Sequence, residues 1–158
     1  MNLNIHSPLP NRKDWRIGCI GSGFIMNDCH LVAYNKAGFN PVAIASRTQI
    51  KAAKCAEQHN ITTVHKSIEQ LLDDESIEVL DLAVPPDNQL SIIKDACERG
   101  IVKGILAQKP LGSNYSEAAE AVDACEQAGI TLAVNQNMRY DQSVRAGKTL
   151  LTNGTIGD

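Results

Sequence analysis

The sequence holds no apolar run long enough to cross a membrane, for which about 20 consecutive apolar residues are needed. Its first fourteen residues, Met1 to Asp14, carry no apolar segment of the kind that opens a secreted protein. With Pro8 and Pro10 among polar neighbours, they read as a flexible or surface-held tail. No stripe of lysine and arginine appears, and a net charge of −3 with a pI near 5.8 argues against a nucleic-acid partner. There is no C-x-x-C: the five cysteines, Cys19, Cys29, Cys55, Cys97 and Cys125, are odd in number and widely spaced. They read as small buried hydrophobes in a reducing, cytoplasmic compartment. Cys29-His30 is not read as a metal site, because neighbours on a helix point apart and no further ligands stand nearby. Aromatic residues are few as well. What remains, 43% hydrophobic and 21% charged over 158 residues, is globular and long enough for one domain with a full core.

The chain is organised around Arg16–Met26. A short apolar strand, Ile17 to Ile20, enters a Gly21-Ser22-Gly23 turn, and a helical pattern opens at Phe24. Gly21 permits a tight turn and Gly23 lets the backbone approach a pyrophosphate. The third glycine of G-x-G-x-x-G is missing, with Met26 in its place, so the helix is expected slightly further from its strand. Exposed N–H groups at the helix start would still favour a phosphate. Ile25, Cys29 and Val32 recur at helical spacing up to Gly38, a C-cap. Further apolar runs follow at Pro41–Ser46, Thr62–His65, Glu78–Val84, Ile101–Ala107 and Ile130–Val134, separated by helical stretches, with Ser67–Gln70 as a capping box. Strands alternating with helices imply an α/β fold with a doubly wound parallel sheet. Ligands of such sheets sit at the carboxyl ends of the strands. Five unusual segments collect there: Gly21–Gly23, Ser46-Arg47, Pro85–Gln89, Gln108-Lys109 and Asn135–Arg139.

At the end of the second strand, a dinucleotide site that prefers NAD carries an acid for the ribose 2′-hydroxyl. Here Ser46 and Arg47 stand instead. No carboxylate repels a phosphate, Arg47 can form a charge-assisted fork to a 2′-phosphate, and Ser46 can add a hydrogen bond. That favours NADP. Arg47 lying flat over the adenine ring would accept NAD as well. The missing acid also disfavours a methyltransferase.

With Gln108-Lys109-Pro110-Leu111 in place, the chain from Arg16 to Asp158 resembles the glucose–fructose oxidoreductase / inositol dehydrogenase (Gfo/Idh/MocA) family. The resemblance rests on Gly21-Ser-Gly23, His30, Ser46-Arg47, Pro85, the Lys109-Pro110 signature and Asn137-Met-Arg139-Tyr140. Gly154-Thr-Ile-Gly157 looks like the family's passage into its second domain. Met26, Gln108 for the usual Glu, and Gln89 where the family often has His depart from the pattern. The resemblance implies a Rossmann-like domain over residues 15–140 after a tail of residues 1–14. Residues 141–158 would then be a helix and the start of a substrate-binding domain absent from this chain. It implies hydride transfer between NAD(P) and a secondary alcohol or ketone of a sugar- or polyol-like substrate, a chain incomplete on its own, and a homo-oligomer. A non-catalytic NAD(P) sensor or scaffold is the competing reading, and Lys109 separates the two. The cofactor site read from these segments comprises Gly21, Ser22, Gly23, Phe24, Ile25, Ser46, Arg47, Val84, Pro85, Pro86, Gln89, Gln108, Lys109 and Asn137. Lys109 is the catalytic residue and no metal is expected.

Overall fold

The apolar runs fold as strands of one parallel sheet. A computed structural model describes residues 9–156; the start of the expected tail, including Pro8, and the closing Gly157-Asp158 lie outside them. The strands are β1 (Arg16–Ile20), β2 (Asn40–Ala45), β3 (Thr63–Val64), β4 (Val79–Leu82), β5 (Gly104–Ala107) and β6 (Thr131–Val134). The helices are α1 (Leu31–Ala37), α2 (Gln49–His59), α3 (Ile68–Leu72), α4 (Pro86–Arg99), α5 (Tyr115–Ala128) and α6 (Gln142–Thr152). The sheet order is β3-β2-β1-β4-β5-β6, with every neighbouring pair parallel. This is the doubly wound Rossmann order, and its direction reverses between β1 and β4.

Helices cover both faces, which is why the central strands are apolar nearly throughout. From β1, Ile17 and Cys19 join Met26, Leu31, Ile44 and Ala52 in one layer, whereas Ile20 joins Leu80, Leu82, Ile93 and Ile105 in the other. Each fully buried aliphatic side chain contributes roughly 1.5–3 kcal/mol.

The first helix departs from expectation. Residues Ile25–His30 form a π-helical turn before α1 begins. That wide turn carries one residue more than an α turn, and it shifts the inward face. Met26, His30 and Leu31 are buried, while Ile25 and Cys29, expected on that face, are exposed. Met26 fills the core at the place of the third glycine. Cys29 is therefore not a buried hydrophobe; Cys19, Cys55 and Cys125 are, and Cys97 is half-buried. Ser67 caps α3 by accepting from the Gln70 N–H at 3.2 Å, but the Gln70 side chain accepts from Lys66 N–H, not from Ser67. The capping box is thus only half formed.

At the amino edge of the sheet, Glu78 gathers donors from two cations and one backbone N–H. Its carboxylate accepts from Lys103 Nζ at 2.8 Å, from Arg12 Nη2 at 2.8 Å and from the Arg16 N–H at 3.3 Å. Arg12 also lies 3.6 Å from the centre of the Trp15 ring. Lys103 first, and then the backbone of Arg16 and the guanidinium of Arg12, hold the Glu78 carboxyl down to about 2. Because the folded value is depressed, its stabilising contribution is present above the ordinary carboxylate range and is lost as pH falls through about 2. Glu78→Gln is expected to flatten the acid limb of a melting-temperature profile between about pH 4.5 and 2; an unchanged limb would remove Glu78 as its source.

The chain divides into two compact units, Arg12–Asn135 and the described residues on either side of it. In the second unit, Asn137–Tyr140 form a 3-10 turn and α6 follows. The Asp141 side chain caps α6, accepting from the Ser143 N–H at 2.8 Å, the Val144 N–H and the Ser143 hydroxyl. No helix of the described residues is long and apolar enough to cross a membrane.

Candidate functional site

The carboxyl ends of β1, β2 and β4 meet around the first glycine turn. The Gly21 N–H donates to the Ala45 carbonyl at 2.9 Å, and the Ala83 N–H donates to the Ile20 carbonyl at 2.9 Å. Gly21 has φ +109°, and a Cβ there would stand 2.4 Å from the Ala83 carbonyl oxygen. Only glycine fits this crossing. Gly23 differs: a Cβ on it would meet nothing within 4 Å. Its bare face opens onto a cleft of about 480 Å³ that Gly21, Ser22, Ser46, Arg47, Val84 and Pro85 also line.

The far end of this cleft is built by the loop after β2. The Ser22 hydroxyl donates to Ser46 Oγ at 2.9 Å, which joins the glycine turn to that loop. Ser46 Oγ also accepts from the Thr48 N–H at 3.4 Å. Arg47 is exposed on the cleft, and Lys51, in the first turn of α2, lines it too. Lys51 was missed in the sequence; it stands just after the Ser46-Arg47 loop. Glu69 and Asp95 also line the cleft, so its wall is not uniformly basic.

Of the other expected contacts, Phe24 and Ile25 are 71% and 38% exposed beside the turn, and Pro86 opens α4. Gln89 is fully buried. Its Nε2 donates to the Pro110 carbonyl at 2.7 Å, while its Oε1 has no partner among the described residues. Lys109 follows β5 across a cis bond to Pro110. Its side chain is exposed. The Lys109 N–H donates to the Gln108 Oε1 at 2.8 Å. Asn137 lies in the 3-10 turn of the second unit.

Sequence reasoning also passed over Asp81, a lone acid in the apolar run of β4. It is fully buried and bonded to His30 Nδ1 at 2.8 Å, with the Tyr34 hydroxyl donating to it at 2.8 Å. Burial and the Asp81 charge push the Tyr34 hydroxyl far up, so it remains a donor. An acid at the centre of an otherwise apolar strand was the signal, but its partners lie about fifty residues away and left no local pattern.

A bare-backboned glycine turn beside a cleft with two cations at its far end fits a phosphate-bearing dinucleotide. A family described as an oxidoreductase family with an NAD-binding Rossmann fold matches residues 15–136. The chain belongs to the Gfo/Idh/MocA oxidoreductases. Among curated Gfo/Idh/MocA-like relatives, D-apiose dehydrogenase of Paraburkholderia graminis is 26% identical over 92% of this chain and 38% of its own length. D-xylose 1-dehydrogenase (NADP(+)) 2 of Haloferax volcanii is 31% identical over 73% of this chain and 35% of its own. The solved structure of a levoglucosan dehydrogenase in complex with NADH and levoglucosan superposes with a TM-score of 0.82. It is 28% identical and covers 91% of this chain and 40% of its own. The chain thus spans less than half the length of these relatives. As a Gfo/Idh/MocA domain it is a nicotinamide-dinucleotide binder by fold.

Proposed function

We propose that this chain is the cofactor-binding portion of an NAD(P)-dependent dehydrogenase acting on a secondary alcohol or ketone of a sugar- or polyol-like substrate. The observation that carries this reading is the cleft at the carboxyl ends of β1, β2 and β4, which joins the Gly21–Gly23 turn to Ser46 and Arg47. The sugar-type names of the relatives support the substrate class. The dinucleotide, when bound, supplies the hydride acceptor or donor. Gly21 to Gly23 give its pyrophosphate a close backbone approach. Ser46, Arg47 and Lys51 hold a 2′-phosphate, and no carboxylate at Ser46 opposes it. Lys109 takes the proton of the substrate hydroxyl in oxidation and returns it in reduction. The remaining length seen in the relatives would bring the substrate to this edge.

NADPH is expected to bind this chain more tightly than NADH. Hydrogen bonds to charged groups contribute about 1.5–3 kcal/mol, so the preference is roughly ten- to a hundredfold. Arg47→Ala should shrink it most of the way. Equal affinities for the two cofactors in the parent chain, measured by fluorescence titration, would refute the phosphate assignment.

A further inference from the structure

Behind the Lys109 turn lies a buried polar cluster that the reading above does not use. His30 and Asp81 stand in an apolar layer beside Cys19 and Leu31. A buried carboxylate without partners would be costly. Asp81 accepts from His30 Nδ1 at 2.8 and 3.0 Å and from Tyr34 at 2.8 Å. The opposite ring nitrogen, His30 Nε2, faces Asn135 Nδ2 at 2.8 Å and Gln108 Nε2 at 3.2 Å. The direction of the Gln108 amide is settled by its other end, where Oε1 accepts the Lys109 N–H. Its NH₂ therefore points at His30. A ring nitrogen that receives N–H donors carries no proton, so the ring proton is on Nδ1 and is donated to Asp81. The groups facing the ring are Asp81 from β4, Tyr34 from α1, and the neutral amides that follow β5 and β6. The Cys19 thiol of β1, beside Asp81, is kept protonated by burial.

We propose that His30 is a positioning residue: as the neutral Nδ1–H tautomer it ties the first helix and β4 to the ends of β5 and β6, and through Gln108 it sets the backbone of Lys109. Its importance for turnover rests on the reading of Lys109 above, but the state of the ring does not. Residue 108 decides that state. A Glu there would keep one oxygen on the Lys109 N–H and turn the other to His30 Nε2. Carboxylate and bare nitrogen cannot bond without a proton between them, so the ring would take one up.

The test is the ¹⁵N–¹H spectrum of the histidine rings in this chain at pH 7, with His30 assigned by its loss in His30→Phe. The parent should show Nδ1 protonated and Nε2 bare. Gln108→Glu should show both nitrogens protonated, and Asn135→Asp should do the same from β6, so either variant decides if the other does not fold. In His30→Phe, hydrogen exchange at the Lys109 amide should rise about tenfold or more as the Gln108 side chain loses its anchor. A parent ring protonated on Nε2, a folded variant that keeps a bare ring nitrogen, or unchanged exchange at Lys109 would overturn the proposal. Lys109→Ala leaves the ring signature in place whether or not Lys109 is the acid–base group, so the two readings fail separately.

Discussion

Gly21→Ala is expected to lower the melting temperature by roughly 8–16 °C, and Gly23→Ala to leave it unchanged while weakening cofactor binding at least tenfold. The two glycines stand two residues apart and serve different ends. At Gly21 the φ of +109° is closed to an L side chain, and the new Cβ would lie 2.4 Å from the Ala83 carbonyl oxygen. That neighbour is backbone of the loop after β4 and cannot turn aside. Strain and overpacking together cost about 4 kcal/mol. At Gly23 a Cβ enters open space, so the fold tolerates it. That space belongs to the cleft, and a methyl there occupies the path of a pyrophosphate. Thermal melts with NADPH titrations on both variants separate the effects. A Gly21→Ala chain melting within about 2 °C of the parent would contradict the crossing described here. Unimpaired binding in Gly23→Ala would contradict the cofactor path.

Lys109→Ala carries the second large effect. In a protein with the length of the relatives, turnover should fall by about 10²- to 10⁴-fold, the usual range for a positioned acid–base group. NADPH affinity should change less than about threefold, because the proposed phosphate contacts are at Ser46 and Arg47, away from Lys109. In the chain itself Lys109 is exposed and makes no side-chain hydrogen bond or ion pair among the described residues. Steady-state kinetics with an oxidisable sugar would measure the loss. Turnover within about threefold of the parent would assign the proton transfer to another group.

The sheet was legible because its cues are local. Apolar runs with covered faces marked the strands, and glycines marked the ends of α1, α4 and α5. Ser46-Arg47 was legible because a fixed offset from the glycine turn leads to it, and the structure places both residues on the same cleft as Gly21–Gly23. The face of the first helix was not legible. Periodicity assumed an α phase from Phe24, and the π turn at Ile25–His30 exchanged Ile25 and Cys29 for Met26 and His30 as inward residues. Gln89 was read as a cofactor contact from its place after Pro85-Pro86. The geometry instead turns it inward to hold the Pro110 carbonyl. The His30–Asp81 pair was hidden for a similar reason: it is made by strand order, and strand order brings together residues that share no stretch of chain.

A nicotinamide dinucleotide along the cleft from Gly23 to Arg47 is the proposal on which the cofactor-binding expectations depend. Amide chemical-shift mapping of the ¹⁵N-labelled chain during an NADPH titration tests it most directly. Saturable shifts should concentrate at Gly21 to Gly23, Ser46 to Lys51, and Ala83 and Val84. Shifts absent from those amides at saturating NADPH, or largest around Arg139 to Asn153 instead, would contradict it.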